Sequence, residues 1–269
     1  MNQALIQATP PPRLLSIVTV TRNDSARLAL TLRSMGRFYG DARFEHIVMD
    51  GKSTDNTHEL VAPLAGTANF LFHSGSDKGI YDAMNQGVAK SNGRFLLFLN
   101  CGDCMQAGPD ELAGWIEQLG GQESVDIACF SFSQVESSGH TKVVHAHAAT
   151  PMHMPTSHQA MLFAAGFIRS HPYDIRYKIA ADFDLYMRSR RQCVVLAPTQ
   201  APLTIVEVDG VASSQPMISY REYLAIASRN LTGLERVSCV IRIGFRAMIV
   251  IAVKSLLPTS LVSKLRGMS

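Results

Sequence analysis

Asp77-Lys78-Gly79, with Asp82 three residues on, sets two carboxylates and an ammonium around a glycine at the mouth of a helical stretch, 79–90. A helix start beside a lysine favours a bound anion such as a diphosphate, and Asp77 reads as the helix cap. The apolar run Phe95-Leu-Leu-Phe-Leu99 leads directly into Asn100-Cys-Gly-Asp103. An amide oxygen and a carboxylate suit a hard divalent cation, Mg²⁺ or Mn²⁺, that keeps several waters and shares phosphate oxygens. Asp50, behind the apolar stretch Phe44–Met49, offers an acceptor for a base N–H or a ribose hydroxyl. Ser53 and Asp55 read either as further contacts or as caps of the next helix.

These residues need elements to position them. Leu14–Val20 is rich in β-branched residues and predicts a buried strand, and 26–38, apolar at 28, 32 and 35, predicts an amphipathic helix. A second strand (44–49), a helix from Asp55 or Asn56 to about 64, a third strand (69–73), the helix at 79–90 and a fourth strand (95–99) follow. Such alternation means βαβ crossovers and a parallel sheet in an α/β fold. The polar clusters 19–23, 50–55, 74–78 and 100–103 each follow a strand, so they meet at the sheet's carboxyl edge, where open α/β folds bind ligands. Beyond Pro109 the pattern predicts a helix around Trp115, strands at 127–132 and 142–147, and a helix at 177–188. On that helix Asp182 and Asp184 point roughly 200° apart, so they should not share one task.

The 269 residues are 46% hydrophobic and 17% charged, enough for a large core and far from a disordered composition. A net charge of +3 gives no argument for nucleic acid. Seven Lys/Arg against Glu235 from Arg229 onward make the tail +6 and the preceding part −3. Five cysteines, an odd number, and a start without a basic and apolar leader predict a cytoplasmic protein. Cys101-x-x-Cys104 has no second pair, and the histidines 140, 145, 147, 153 and 158 fit no tight ligand spacing, so neither group reads as a zinc site. Residues 1–13 read as a flexible leader, 14–220 as the main domain and 221–269 as a helical segment. In 237–257 Arg242, Arg246 and Lys254 interrupt an apolar stretch, which argues against spanning a bilayer. It fits a helix lying on an anionic membrane surface, or one packed on the domain or in a homodimer interface.

The blocks Ser16-Ile-Val-Thr-Val-Thr-Arg-Asn23, Ile47-Val-Met-Asp-Gly-Lys-Ser-Thr-Asp-Asn-Thr57, Ser76–Gly87, Phe95–Asp103 and Ala181-Asp-Phe-Asp-Leu-Tyr-Met-Arg188 resemble family 2 glycosyltransferases of GT-A fold. The likeness covers about 14–215 and is nearest to the bacterial branch that builds exopolysaccharide, colanic-acid-like or O-antigen units. It implies inverting transfer from a nucleotide-diphospho-sugar, most often a UDP-sugar, to a hydroxyl of a polyprenyl-diphosphate-linked saccharide at the inner face of the bacterial inner membrane. On that resemblance Thr19, Thr21 and Asn23 line the nucleoside pocket and Asp50 binds the base, with Ser53 nearby. Asp77, Lys78 and Asp82 lie beside ribose and diphosphate, Asn100 and Asp103 occupy the metal motif, and Asp182 matches the general base. His158, in a His-Gln block shared with the family, reads either as facing diphosphate or acceptor, or as structural.

Two positions depart from the family pattern. Asn100 and Gly102 stand where many relatives carry acids, and Met84 replaces a frequent arginine. The thinned metal motif leaves a second reading open, a non-catalytic nucleotide-sugar-binding scaffold of a polysaccharide assembly complex. A dinucleotide-dependent oxidoreductase is disfavoured, because Thr21-Arg-Asn-Asp stands where G-x-G-x-x-G would follow the first strand.

Overall fold

The computed structural model describes residues 13–120, 125–135, 139–148, 154–189, 194–207 and 215–256. The chain runs β1 (Arg13–Thr21), α1 (Ser25–Met35), β2 (Phe44–Asp50), α2 (Thr57–Val61), β3 (Phe70–Ser74), α3 (Ile80–Lys90), β4 (Gly93–Phe98), β5 (Cys104–Met105) and α4 (Pro109–Gly120). It continues with β6 (Ile127–Cys129), β7 (Ser131–Val135), β8 (Thr141–Val144), β9 (Met161–Ala164), α5 (Ala165–Ser170), α6 (Ala181–Ser189), β10 (Val194–Leu196), β11 (Pro202–Glu207), α7 (Pro216–Asn230) and α8 (Gly233–Leu256).

A seven-stranded sheet in the order β10-β6-β9-β4-β1-β2-β3 forms the middle layer. Strands β4, β1, β2 and β3 are parallel, as the alternating pattern predicts, while β9 runs antiparallel to both neighbours. Both faces are covered, which is why these strands read as near-continuous apolar runs. Leu15, Ile17, Phe95 and Leu97 pack with Met35, Phe38 and Trp115 on one side. Val18, Val20, Leu96 and Phe98 pack on the other with residues of α3, α5 and α6. Gly87 lets α3 close onto β1, since a Cβ there would stand 2.5 Å from a Val18 methyl. A smaller sheet, β5-β11-β7-β8, sits beside this layer.

Three expectations need correction. The strand predicted at 127–132 breaks at Phe130: Ile127–Cys129 belongs to the large sheet and Ser131–Val135 to the small one. A continuous apolar run carries no mark of where the chain turns from one sheet into another. The strand predicted at 142–147 ends at Val144, and the N–H of His147 instead bonds the carbonyl of Pro155. The helix predicted from Tyr177 begins at Ala181. Its approach is held by another element: the Glu222 carboxylate on α7 accepts the N–H groups of Lys178, Ile179 and Ala180 at 2.7–2.9 Å. Arg13, expected in the leader, already belongs to β1; residues 1–12 lie outside the described residues, as do Cys193 and His153.

The position expected to end the main domain, residue 220, falls inside α7. Ile226, Ala227, Leu231 and Cys239 of the α7–α8 pair are buried against Phe183, Tyr186 and Met187 of α6. The outer side of α8 is apolar and uncovered: Leu234, Val237, Ile241, Phe245 and Met248 are 54–87% exposed. Among the described residues no helix is long and apolar enough to cross a membrane.

Candidate active site

The carboxyl ends of the parallel strands frame a cleft of about 360 Å³. Thr21, Arg22 and Asp24 come from the β1 turn, Arg27 from α1, and Asp77, Gly79, Ile80 and Ala83 from the approach to α3 and its first turn. Asn100, Cys101 and Asp103 come from the turn after β4, Gln159 from the turn before β9, and Glu207 from the end of β11.

The rim is laced together by side chain to backbone hydrogen bonds. Asn23, at φ 52°, donates its N–H to Ser53 Oγ at 2.7 Å, and its Oδ1 accepts the Thr54 N–H at 2.7 Å. Asp55 accepts from the Ser25 N–H at 2.8 Å and from Thr57, tying the start of α1 to that of α2. Asp50, almost wholly buried, accepts the Ser53 N–H at 3.1 Å and the Ser74 hydroxyl at 2.6 Å. Asn23, Asp50 and Ser53 thus brace the β1, β2 and β3 turns from just behind the cleft wall. Thr31 of α1 does the same for the β4 turn: its hydroxyl bonds the Asp103 carbonyl at 2.8 Å and accepts the Gly102 N–H at 3.0 Å.

Three buried polar atoms lack a hydrogen-bond partner among the described residues: Thr21 Oγ1, Arg27 Nε and Asn100 Oδ1. All three residues line this one cleft. Buried polar atoms are nearly always satisfied, so their convergence marks a place for a polar ligand. Asp103 is 4% exposed, and its Oδ1 accepts the Glu207 N–H at 3.2 Å. Burial pushes its carboxyl up to about 7, against the pull of that N–H and of Arg27.

This donor set fits a divalent cation of the Mg²⁺ or Mn²⁺ type. The Asp103 carboxylate and the unpartnered Asn100 oxygen are hard ligands on two residues that line the same cleft. Among the described residues no three His, Cys, Asp or Glu side chains are arranged to hold a metal ion by themselves, so substrate phosphate and water would complete the shell. Cys101 and Cys104 are free thiols, and burial pushes Cys101 up to about 11, which leaves it inert.

Asp77 lines the cleft but does not cap α3. The cap position is Gly79, at φ 123°; Asp77 Oδ1 accepts the Gly79 N–H at 2.9 Å, and the helix start has no side-chain cap. Asp77 stands too far upstream of a helix that begins at Ile80. Lys78 and Asp82 open onto a neighbouring crevice shared with Tyr177 and Lys178, on the other side of Gly79. There Asp82 Oδ2 accepts the Lys78 N–H at 2.9 Å.

Thr19 and His158 are not brought to the cleft. Thr19 lies two residues inside the sheet edge, fully buried, with its Oγ1 2.9 Å from His46 Nε2. His158 stacks on Phe98 with ring centroids 5.3 Å apart, and its Nε2 is 2.6 Å from the Tyr173 hydroxyl. Burial lowers its pKa to about 4, so it is neutral and structural. Its neighbour Gln159 is the residue this turn delivers.

Asp182 sits in the first turn of α6, behind the first turn of α3. Its Oδ1 accepts the Phe183 N–H at 2.8 Å and lies 3.2 Å from the hydroxyl of Tyr81, which also donates to the Ile179 carbonyl at 2.6 Å. Dense protein surroundings push the carboxyl up to about 6 although its rim keeps partial solvent contact. That is a suitable value for a base working near neutrality. Asp184 turns away, buried in an ion pair with Arg188 Nε at 2.7 Å, as the helical period predicts.

Thr31, Arg27, Gln159, Glu207 and Glu222 were not legible as site residues. Arg27 precedes the apolar stripe of α1, a visible but unspecific cue; the others carry no sequence signal, because long-range packing brings them in.

The family model "Glycosyl transferase family 2" matches residues 16–172. An uncharacterized glycosyltransferase of Mycobacterium tuberculosis is 33% identical over 188 residues, 66% of this chain and 69% of that one. A PGL/p-HBAD biosynthesis glycosyltransferase of Mycobacterium bovis is 31% identical over 180 residues, covering 65% and 69%. Among solved structures, Staphylococcus aureus TarS 1–349 in complex with UDP superposes with a TM-score of 0.63 at 15% identity, over 92% of this chain and 76% of that one. The mannosyltransferase PcManGT from Pyrobaculum calidifontis, in complex with GDP-Man and Mn²⁺, gives 0.61 at 12% identity, over 95% and 79%. At these identities the structural likeness speaks for the fold.

Proposed function

Because the chain belongs to glycosyltransferase family 2 and has the GT-A fold, we propose that it transfers a sugar from a UDP-sugar, with inversion, to a hydroxyl of a lipid-linked saccharide. The observation that carries this reading is the convergence of Thr21, Asp77, Asn100 and Asp103 on one cleft, with Asp182 behind the first turn of α3. The base lies toward the Arg22 side of the cleft, whose wall Asp50 braces from behind through Ser53 and Ser74. Ribose and diphosphate lie along Asp77 and the uncapped start of α3, whose dipole favours phosphate, with Lys78 adjacent.

Asp182, as carboxylate, takes the proton of the acceptor hydroxyl as its oxygen bonds the anomeric carbon. The bond from that carbon to the diphosphate oxygen breaks, and nucleoside diphosphate leaves on the opposite face. A divalent cation held by Asp103 and Asn100 would offset the charge on the leaving diphosphate.

The acceptor side rests on α8. Its exposed apolar residues recur at intervals of three and four along one face, with Arg236, Arg242 and Arg246 also exposed. A helix lying in the membrane interface, its arginines near anionic headgroups, uses these features and brings the cleft to a lipid-linked acceptor. Ile241→Glu with Phe245→Glu should abolish sedimentation with anionic vesicles; unchanged sedimentation removes the membrane assignment, and a switch from dimer to monomer points to a second copy instead.

Turnover tests the main reading. The purified chain, given Mg²⁺ or Mn²⁺, a panel of nucleotide sugars and a membrane-lipid extract, should release nucleoside diphosphate from one of them. Tight UDP binding with no release under any of these conditions would favour the scaffold reading.

A further inference from the structure

Arg27 is a cationic residue of the cleft to which the proposed reaction gives no task. It is the third residue of α1, its side chain is 40% exposed, and its Nη2 pairs with Glu207 Oε2 at 2.8 Å while Nη1 stands 3.7 Å from Asp24 Oδ2. Its Nε is buried without a partner. The guanidinium lies across Gly102: a Cβ built there would stand 2.5 Å from Nε and 2.8 Å from Nη2, on a backbone at φ 94°. A side chain at 102 and Arg27 in this place exclude each other. With Gly102 in place, the β4 turn carries a guanidinium where a side chain at 102 would otherwise stand.

We propose that Arg27 is a diphosphate-binding residue, contacting the donor's phosphates directly and binding them even without a divalent ion. The inference rests on the nucleotide-sugar reading above. A planar guanidinium presents several N–H donors in a fixed fork that matches phosphate oxygens, and the site already holds an unsatisfied N–H on that fork. Asp103 alone brings one negative charge to the β4 turn, so its hold on a divalent ion is weak and the phosphates retain charge for Arg27 to meet. Glu207 keeps the guanidinium in place, so phosphate and Glu207 compete for it.

Calorimetric titration of the full chain with UDP and with uridine, in EDTA and again in Mg²⁺, tests this. In EDTA the wild type should bind UDP about tenfold or more tightly than uridine, the size expected of charge-assisted hydrogen bonds. Arg27→Met should erase most of that ratio while leaving uridine affinity unchanged. Arg27→Lys, which keeps charge without the fork, should lose about threefold and serves if the Met variant folds poorly. Glu207→Gln should change UDP affinity in the opposite direction, tightening it in EDTA. A wild type that does not prefer UDP in EDTA, a full ratio in either Arg27 variant, or weaker UDP binding in Glu207→Gln overturns the proposal. If no nucleoside diphosphate binds even with Mg²⁺ or Mn²⁺, the nucleotide-sugar reading itself has failed, a different result from loss of the metal-free increment alone.

Discussion

The two halves of the large sheet build the cleft by different means. In β4-β1-β2-β3 all strands point the same way, so every strand's end falls on one rim and chain order alone decides where Thr21, Asp50, Asp77 and Asn100 gather. Beyond β4 the parallel run is interrupted: β9 is reversed between β4 and β6, β6 and β10 again run with β4, β7 leaves for a second sheet, and β11 returns beside β5. There strand order alone does not place the residues: Gln159 and Glu207 line the cleft, and Asp182 is tied to α3 through Tyr81. Tyr81 receives Asp182, and Asp103 receives the N–H of Glu207. The parallel half fixes positions by topology, the other half by individual hydrogen bonds. Substitutions in the second half should therefore tune the chemistry one bond at a time.

The largest effect separates two carboxylates two residues apart on α6. Asp182→Asn should lower kcat about a thousandfold while nucleotide affinity stays within a few-fold, because only the proton acceptor is lost. The same change should stabilise the fold. Asp182 has a folded pKa near 6 against 3.8 unfolded, so its ionisation costs stability as pH rises from about 4 through 6. Removing the charge should return up to about 3 kcal/mol at pH 8, read from thermal melts at pH 8 and pH 4, with little gain at pH 4. Retained turnover, or equal gains at both pH values, breaks the base assignment.

Asp184→Asn should behave in the reverse way. Its carboxylate is buried and paired with Arg188, so the variant strands a guanidinium and should lose about 2–3 kcal/mol. Turnover at a temperature where it remains folded should stay within about twofold. A large fall in kcat with unchanged stability would mean that the two acids share the chemistry after all.

The same division explains what the sequence disclosed. Buried strands followed at once by polar turns were enough to place four loops on one rim, because parallel topology needs no information beyond strand order. The turn chemistry was less legible. Asp77 looks like a helix cap until Gly79 is seen to begin the turn, and Thr19 looks like a ligand until β1 is seen to carry it two residues inward. In the second half the apolar run 127–132 hides a change of sheet at Phe130. The start of α6 also depends on Glu222, more than thirty residues away, for which periodicity has no term. Gly102 stands out in the chain as a departure from the family pattern, but its link to Arg27 shows only in their contact.

The smallest effects test whether single hydrogen bonds in the second half set the working pH. The acid limb of kcat/KM should fall near pH 6, with rate lost as Asp182 is protonated below it. Tyr81 lowers that pKa through its hydroxyl, whereas Glu222 raises it through its nearby negative charge. Tyr81→Phe should therefore move the limb to higher pH and Glu222→Gln to lower pH, so that at pH 6 the two variants differ from the wild type by about twofold in opposite directions. Glu222 acts as a positioning residue, since its carboxylate also holds the three N–H groups ahead of α6. A merely structural role would lower kcat at every pH and leave the limb where it is. Opposite displacement of the two limbs, with the plateau above pH 8 changed by only a few-fold, is the outcome that assigns the tuning of the base to the contacts between α3, α6 and α7.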